Sequence, residues 1–414
     1  MNLIIHRGTH QIGGSCIEVF SDATRLAIDI GAELPQLDGS LKAPFQLPKI
    51  KGLFEGEPKK IDALLVSHSH GDHMGLIDKV NPQIPVYIGE KALAIYNTTS
   101  RFTGGKQVNN NASFLESGQE FTVGDFMITP YLVDHSGFDA YAFVIKHDHK
   151  HLVYTGDFRK HGRKKQATNF FIANLPSRID ALIIEGTMMS RMNEAVETED
   201  EIEKKAFEFM QSKDKPVFVL QSAANIDRLV SMFKAALQSR RIFVMDIFTA
   251  HIVSQLNGRI PKPGFQNIRV FYPRFLNKRF FNEPGGAALM KQFSRFIIKK
   301  DELARRKDYC MLIRESMLYD LKGIGDLKGA GLIYSKWSGY KKQVAAKALL
   351  DYAKIKEMDI IDLHTSGHAC QKTLREIIKR SKARKIVPIH TEKPELFKEF
   401  ENVYLSQDGE VIVI

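Results

Sequence analysis

The chain has 414 residues, of which 43% are hydrophobic and 26% charged, as expected of a soluble globular protein with more than one domain. Lys and Arg outnumber Asp and Glu by 59 to 48, and the net charge of +11 favours anionic partners such as nucleic acid. The three cysteines lie far apart without C-x-x-C spacing, which argues against a disulfide framework and a thiolate zinc site. Since no signal peptide or membrane-spanning run is evident, we expect a cytoplasmic protein without a membrane partner.

The first 187 residues predict short strands separated by turns. Runs rich in β-branched and aromatic residues, bounded by Gly, Asn, Asp or Pro, extend from "CIEVF" to "IDALIIEGT". Several of these runs end in His, Asp or Glu, which places polar groups along one rim of the predicted sheets. That rim is where α/β folds commonly bind ligands.

The pattern changes after Glu185. Thr198 and Glu201 predict a capping box at the start of an amphipathic helix, and "PVFVL", "NIDRLVSMFKAALQ" and "RIFVMD" then predict strand, helix and strand. This βαβ alternation continues to "AGLIYSKWSGY", with "FNEPGGAAL" interpreted as a loop, before a β-rich pattern returns. We therefore predict a core formed by residues 1–187 and 361–414, interrupted by an α/β domain over residues 188–360, called the insertion below.

The segment "HSHGDH" crowds His68, His70, Asp72 and His73 into six residues after an apolar run. Side chains two apart on an extended segment point the same way, and the turn at Gly71 brings in the next pair. Surface histidines with ordinary hydrogen bonds are the alternative, but imidazole and carboxylate are the usual ligands of a hydrolytic dizinc site. Four ligands cannot complete two sites. The further candidates at predicted strand ends are His135, Asp157 and His390.

These motifs resemble those of the metallo-β-lactamase superfamily, in which "HSHGDH" is accompanied by the equivalents of Asp29 in "AIDIG", His135 in "DHS" and Asp157 in "TGDF". The later segments "IIEGT", "SGHA" and "PIHTE" are similar to the three additional motifs of the β-CASP nucleases, such as RNase J. The resemblance covers nearly the whole chain. It implies an α/β (α+β) fold, with an αββα metallo-β-lactamase sandwich interrupted by an inserted α/β β-CASP domain.

The resemblance also implies a site with two Zn²⁺ ions, for which Mn²⁺ or Mg²⁺ can substitute. One ion would be bound by His68, His70 and His135, the other by Asp72, His73 and His390, with Asp157 bridging them. Asp29 would orient the ligand loop without binding metal itself. Glu185 and His368 would form a hydrogen-bonded pair beside the metals.

The resemblance implies catalytic roles for Asp72, Glu185 and His368. A bridging water whose pKa the metals lower would supply the hydroxide that attacks phosphorus. His368, whose charged form Glu185 favours, would protonate the leaving group, and such assistance is worth about 10²–10⁴-fold. Ser366 and the backbone of Gly367 are candidates for contacts with a phosphate.

Other polar stretches have simpler interpretations. The alternating His147, His149 and His151 in "KHDHKHLVY" predict a solvated hairpin turn. The basic run "FRKHGRKK" follows Asp157, so tracking of a phosphate backbone competes with an ordinary solvated face. Trp337 is interpreted either as a stacking surface for bases or as packing within the insertion.

We therefore expect a zinc-dependent nuclease that hydrolyses phosphodiester bonds, with single-stranded RNA as the favoured substrate. A DNA nuclease of the same fold and a non-catalytic RNA-binding scaffold are the alternatives. Exonuclease and endonuclease action, and the oligomeric state, stay open at the level of sequence.

Overall fold

The strands form three sheets, which the computed structural model describes over residues 1–34, 46–108, 111–191 and 196–414. Two sheets, of seven and six strands, are built from both ends of the chain, and a third sheet of six strands comes from between them. None of the helices in these ranges is both long and apolar enough to cross a lipid bilayer.

The first sheet has the strand order β19-β1-β2-β3-β4-β5-β6. Antiparallel pairing joins β19, β1, β2 and β3, and parallel pairing continues through β4, β5 and β6. Its strands are β1 (Asn2–Arg7), β2 (Cys16–Phe20), β3 (Arg25–Ile30), β4 (Ala63–Leu65), β5 (Val86–Ile88), β6 (Ala112–Phe114) and, at the end of the chain, β19 (Val411–Val413).

The second sheet has the order β18-β11-β10-β9-β8-β7. Its strands β7 to β10 pair antiparallel, whereas β10, β11 and β18 run parallel, so the ends of these last three meet at one rim. The strands are β7 (Phe121–Val123), β8 (Phe126–Val133), β9 (Ala140–His147), β10 (Lys150–Tyr154), β11 (Ala181–Glu185) and β18 (Ile386–Ile389).

The third sheet is parallel throughout, in the order β14-β13-β15-β12-β16-β17. Along its strands, alternate residues serve two separate apolar clusters, as Val219 and Leu220 do. Both faces are therefore covered by helices, as parallel sheets require. The strands are β12 (Val217–Leu220), β13 (Ile242–Asp246), β14 (Ile268–Phe271), β15 (Tyr309–Ile313), β16 (Gly331–Tyr334) and β17 (Asp359–Asp362).

Helices and short 3₁₀ turns connect the strands. The α-helices are α1 (Gly71–Met74), α2 (Glu90–Thr103), α3 (Lys165–Ala173), α4 (Glu199–Gln211), α5 (Ile226–Gln238), α6 (Ile247–Ser254), α7 (Arg274–Phe281), α8 (Gly286–Lys291), α9 (Lys300–Arg305), α10 (Leu318–Leu321), α11 (Val344–Ile355) and α12 (Gln371–Ser381). The 3₁₀ turns are Ile77–Lys79, Ser294–Phe296, Glu315–Met317, Ser338–Lys342 and Pro394–Glu399.

The first two sheets pack face to face. One apolar cluster joins Ile5 and Ile28 of the first sheet to Phe143 and Ile183 of the second. The outer face of the first sheet packs against α1 and α2, and that of the second packs against α3 and α12. This confirms the predicted αββα sandwich accompanied by a further α/β unit.

Local predictions in the insertion have mixed outcomes. The capping box is confirmed, since Thr198 and Glu201 bond reciprocally at the start of α4. "FNEPGGAAL" is not wholly a loop, because α7 ends at Phe281 and α8 begins at Gly286. The boundaries at residues 187 and 360 stay a prediction, and β17 runs across the second of them.

Candidate metal centre

Each predicted metal ligand lies just beyond a strand of the sandwich. His68 follows β4, and the next turn forms α1, which carries Asp72 and His73. His135 follows β8, Asp157 follows β10 and His390 follows β18. The ligands therefore come from both sheets and converge on one rim of the sandwich.

The structure brings all seven predicted ligands together with His368. The donor atoms within each of four groups lie within 4.8 Å of one another. The groups are His68–His70–His135, His68–His73–Asp157, Asp72–His73–His390 and Asp157–His368–His390. Asp157 belongs to two groups, consistent with a residue that lies between two metal positions.

Several donor atoms at the centre are buried without a hydrogen-bond partner. They are Nε2 of His68, Nε2 of His73 and both carboxylate oxygens of Asp157. His73 Nε2 and Asp157 Oδ2 are 3.1 Å apart, yet their orientation is not that of a hydrogen bond. Because buried polar atoms are rarely left unpaired, this donor set fits a site that binds cations.

The ligand histidines use their opposite ring nitrogens for anchoring contacts. Nδ1 of His135 lies 2.6 Å from the Gly367 carbonyl, and Nδ1 of His390 lies 2.9 Å from the Thr187 hydroxyl. Such contacts fix the tautomer and direct the other nitrogen at the metal. Thr187 was not predicted from the sequence, although it stands in the "EGT" segment.

Asp29 anchors the loop of residues 67–73, which carries four of the candidate ligands, from the interior of the protein. Its carboxylate lies 2.7 Å from Nδ1 of His73 and accepts hydrogen bonds from the Ser67 amide at 2.7 Å and the Tyr154 hydroxyl at 2.6 Å. The Asp29 side chain is fully buried and belongs to none of the four donor groups found among the described residues. These contacts support the predicted orienting role, and they add Tyr154 and Ser67, which no sequence motif indicated.

The turn that carries Asp72 packs closely on the first sheet. The Ser15 amide donates to the Asp72 carbonyl at 3.0 Å, and the Ala32 amide donates to the Gly71 carbonyl at 2.8 Å. A Cβ atom on Gly31 would lie 1.8 Å from the Asp72 carbonyl oxygen. Only glycine permits this approach.

The ionisation of His68, His135 and Asp157 suits a cation site, whereas burial would lower the pKa of His73 but the charges of Asp157 and Asp29 outweigh it and raise that pKa well above its ordinary value. Burial lowers the pKa of His68 and of His135 well below the ordinary value, and neighbouring imidazoles lower it further, so both rings are neutral. Burial alone would raise the pKa of Asp157, but the adjacent His390 and His73 hold it well below its ordinary range. Neutral imidazoles and ionised carboxylates are the forms that bind metal.

The centre is open on one side. The side chains of His68, His390 and Asp157 are at most 2% exposed, whereas Asp72 is 13% and His368 20% exposed. The accessible side of the centre therefore carries Asp72, His368 and the partly exposed His70.

Glu185 and His368 are neighbours without a hydrogen bond between them, which corrects the predicted hydrogen-bonded pair. His368 Nδ1 lies 3.7 Å from Glu185 Oε2 and 3.5 Å from Asp157 Oδ2. The Glu185 carboxylate instead accepts from the Thr187 amide at 2.9 Å and the Ala369 amide at 2.8 Å. Burial would lower the pKa of His368, but the charges of Asp157 and Glu185 outweigh it and raise that pKa.

The predicted phosphate contacts at Ser366 and Gly367 stay a prediction. The Ser366 carbonyl accepts from Arg159 and His161, and the Gly367 carbonyl accepts from His135. The Ser366 hydroxyl accepts from the His368 amide at 3.1 Å. Hydrogen bonds to other parts of the protein thus fix the backbone of Ser366 and Gly367.

The basic run after Asp157 does not track a phosphate backbone as a whole. Arg159 is completely buried, and Lys160, Arg163 and Lys164 pair with carboxylates. Two histidines of "KHDHKHLVY" flank a turn between β9 and β10 at the exposed His149, as predicted. Trp337 is half-buried, with the Arg191 guanidinium 4.8 Å from its ring centre.

Two family models match parts of this chain, and known proteins match it over nearly its whole length. Residues 36–211 match a beta-lactamase superfamily domain, and residues 354–399 match a Zn-dependent metallo-hydrolase RNA specificity domain. Ribonuclease J 2 of Streptococcus pyogenes is 19% identical, over 100% of this chain and 76% of its own length. Ribonuclease J of Helicobacter pylori is 20% identical over 98% of this chain, which spans 60% of that relative.

A solved structure has the same fold. A protein of unknown function from Enterococcus faecalis superposes with a TM-score of 0.82 at 22% identity, covering 100% of this chain and 99% of that chain. The sandwich, its rim of His and Asp side chains and the two domain matches define a metallo-β-lactamase-fold protein. Within that class, the chain is RNase J-like, since the relatives it matches at 19% and 20% identity are ribonucleases J.

Proposed function

We propose that this protein is a two-zinc ribonuclease that hydrolyses single-stranded RNA in the cytoplasm. The observation that carries the proposal is the convergence of seven His and Asp ligands around buried donor atoms that lack partners. The names of its relatives, ribonucleases J, and the RNA specificity domain at residues 354–399 support RNA as the substrate. The unpaired, buried Cys16 and Cys310 fit a reducing compartment.

Two groups of side chains would hold the cations. His68, His70 and His135 would bind one, and Asp72, His73 and His390 the other, with Asp157 shared between them. When bound, the cations would supply Lewis acidity at the phosphate and lower the pKa of a water molecule that serves as nucleophile. Mn²⁺ or Mg²⁺ could take the same positions.

His368 is the proposed proton donor. Asp157 and Glu185 both lie within 4 Å of its Nδ1 and hold a proton there. The second proton of the imidazolium then resides on Nε2, the nitrogen available to the departing oxygen. The partial exposure of His368 allows the substrate to reach it.

Glu185 would act by holding His368 in place. Its two oxygens accept the amides of Thr187 and Ala369, so the carboxylate connects the end of β11 to the segment that carries His368. Its charge also favours the protonated form of the imidazole. Asp72 would bind its metal on the open side of the centre, next to the incoming phosphate.

The test uses end-labelled RNA and DNA strands of identical sequence, incubated with the zinc-loaded protein. We expect the RNA strand to be cut, the activity to disappear on chelation, and zinc to restore it. Preferential cutting of DNA would favour the DNA nuclease. Binding of RNA without cutting, at full zinc occupancy, would favour a non-catalytic scaffold and overturn the proposal. Labels at both ends report whether products arise from an end or from internal positions.

A further inference from the structure

The segment Leu363–His368, which ends at the proposed proton donor, is held mainly by buried polar contacts. Arg228 of α5 donates to the Leu363 carbonyl at 3.1 Å, and the Thr365 hydroxyl bonds to the Glu197 carbonyl. Both partners belong to the insertion. The place of His368 thus depends on residues outside the sandwich that carries the metal ligands.

Arg159 provides the central contact. Its side chain is fully buried, and each guanidinium nitrogen has a partner of its own: Nε lies 3.3 Å from Asp134, Nη1 donates to the Ser366 carbonyl at 3.0 Å, and Nη2 donates to Asp227 at 2.7 Å. A planar guanidinium with three occupied sides has one orientation only. Loss of the Asp227 contact would therefore allow the guanidinium to rotate, and Nη1 would then no longer hold the Ser366 carbonyl in place.

The Ser366 carbonyl stands next to two functional groups. The following carbonyl, that of Gly367, accepts from Nδ1 of His135 at 2.6 Å, and His368 comes directly after it. A shift of this backbone would move the ring of a metal ligand and the proton donor together. A displacement of 1 Å at a reacting group can cost about 10²-fold in rate.

Asp227 connects this segment to the insertion. It lies at the first turn of α5, and its carboxylate also accepts from the Arg163 amide at 3.1 Å and pairs with Lys164 at 3.4 Å. Glu199 at the start of α4 pairs with both Arg228 and Arg159. We call this set, Arg159, Asp134, Asp227, Glu199 and Arg228, the arginine junction.

We propose that Arg159 is a positioning residue for the reaction, and that Asp227 of the insertion sets its orientation and thereby the place of His368 and His135. The insertion thus helps to build the catalytic geometry and is more than a cover for the substrate. This inference rests on the proposed function for the role of His368, but the placement of the segment is testable without activity.

The first measurement is hydrogen exchange on metal-free protein, in a peptide covering residues 363–370. In Asp227→Asn we expect its amides to exchange about tenfold faster, as the loss of one charged hydrogen bond predicts. Asp246→Asn is the matched control, because Asp246 is another buried carboxylate of the insertion that caps α6 and pairs with Arg314 without touching this segment. Equal exchange in the two variants would overturn the inference.

The second measurement is steady-state cleavage by the zinc-loaded enzyme. Asp227→Asn should lower kcat about tenfold with little change in KM, since the proton donor is displaced while substrate binding is kept. On a substrate whose bridging leaving atom is sulfur, which departs without a proton, we expect most of this loss to vanish. The same loss in Asp246→Asn would show a general structural effect instead, and an equal loss on both substrates would overturn the displacement of the proton donor His368.

Arg159→Lys is the second variant. Lysine keeps the charge beside Asp227 but cannot bond to Asp134, Ser366 and Asp227 together. We expect the folded protein to show the same faster exchange at residues 363–370, and unchanged exchange would contradict the positioning role. If wild-type protein cut no RNA while the exchange results held, the proposed function would fail and the positioning of the segment would stand.

Discussion

The molecule contains two clusters of buried charged and polar side chains, and they differ in one respect. At the metal centre, donor atoms of His68, His73 and Asp157 are buried without partners. At the arginine junction, every guanidinium nitrogen of Arg159 and Arg228 has a hydrogen-bond partner. Burial of charge is common to both, so the distinguishing feature of the ligand site is the unpaired donor atom.

The physical reason is the cost of desolvation. A buried charge is tolerated when neighbouring groups of the protein compensate it, as at the junction. Where the chain supplies no partner for imidazole nitrogens and carboxylate oxygens, a cation from solution can supply one. We therefore expect changes at the centre to act on metal binding and catalysis, and changes at the junction to act on stability and on the placement of residues 363–368.

The largest effect should come from Asp157→Ala, which removes the carboxylate shared by both metal positions. We expect the cleavage rate to fall by at least about 10³-fold, because loss of one preorganised electrostatic group already costs about 10²–10³-fold. Zinc content, measured on the purified variant, should fall as well. His149→Ala in the exposed turn is the control, and normal activity in Asp157→Ala would refute the site. His68→Ala should behave as Asp157→Ala does.

The next largest effect should come from His368→Ala. We expect a rate reduction of about 10²-fold, at the lower end of what general acid catalysis provides, with zinc content unchanged. A substrate with a bridging sulfur leaving atom should restore most of the rate. A loss of zinc equal to that of Asp157→Ala would instead make His368 a metal ligand.

At the junction, Arg228→Met should destabilise the fold while leaving the ligand set intact. It leaves the Glu199 carboxylate buried without its main partner, which costs about 3–5 kcal/mol of unfolding free energy. Urea denaturation measures this, with Arg295→Met, a change at an exposed arginine, as the control. By contrast, metal-free Asp157→Ala should be no less stable than the metal-free wild type. Equal destabilisation of the two variants would abolish the distinction between the clusters.

Asp29→Asn should weaken metal binding without removing a ligand. The contact of its carboxylate with His73 Nδ1 orients that ring, and loss of such a support typically costs about 10–100-fold in metal affinity. Competition with a chromophoric chelator gives the affinity. Asp22→Asn, at an exposed aspartate, should leave it unchanged.

The smallest effect concerns a histidine away from both clusters. Burial lowers the pKa of His251 from 6.5 to about 4, so the unfolded chain takes up a proton in this pH range and the folded protein does not. The free energy of unfolding should therefore fall as the pH is lowered from about 6.5 towards 4. His251→Phe should reduce proton uptake on unfolding by about one proton, as measured by denaturation at pH 5 and pH 7.5. An unchanged pH dependence would contradict a neutral His251.

The sequence indicated the candidate metal ligands because several appear as short motifs at strand ends. "HSHGDH" is local, and the single residues His135, Asp157 and His390 each follow a recognisable β-run. Their convergence at one rim follows from the sheet topology. The anchoring partners Tyr154 and Thr187 carried no such signal, since nothing in the neighbouring sequence distinguishes a hydroxyl that supports a ligand.

The basic run after Asp157 shows the opposite case. Its composition was compatible with binding to phosphate, yet Arg159 is buried in the junction and its neighbours are paired. The carboxylates that pair with it stand at Asp134, Asp200 and Asp227, far away in the chain. The packing of α4 and α5 against this segment brings Asp200 and Asp227 to it, whereas Asp134 comes from the end of β8.

Residue types and local periodicity by themselves predicted a strand-rich core interrupted by an α/β unit and a group of candidate metal ligands. The resemblance of the sequence motifs to the metallo-β-lactamase superfamily implied the sandwich, the assignment of those ligands to two ions and the hydrolytic chemistry. The tertiary structure alone decided which charged groups are paired, which nitrogen of each histidine faces the centre, and that His368 lies beside Glu185 without bonding to it. Pairing and orientation depend on atoms from distant parts of the chain approaching within about 3 Å, and no local pattern records such distances.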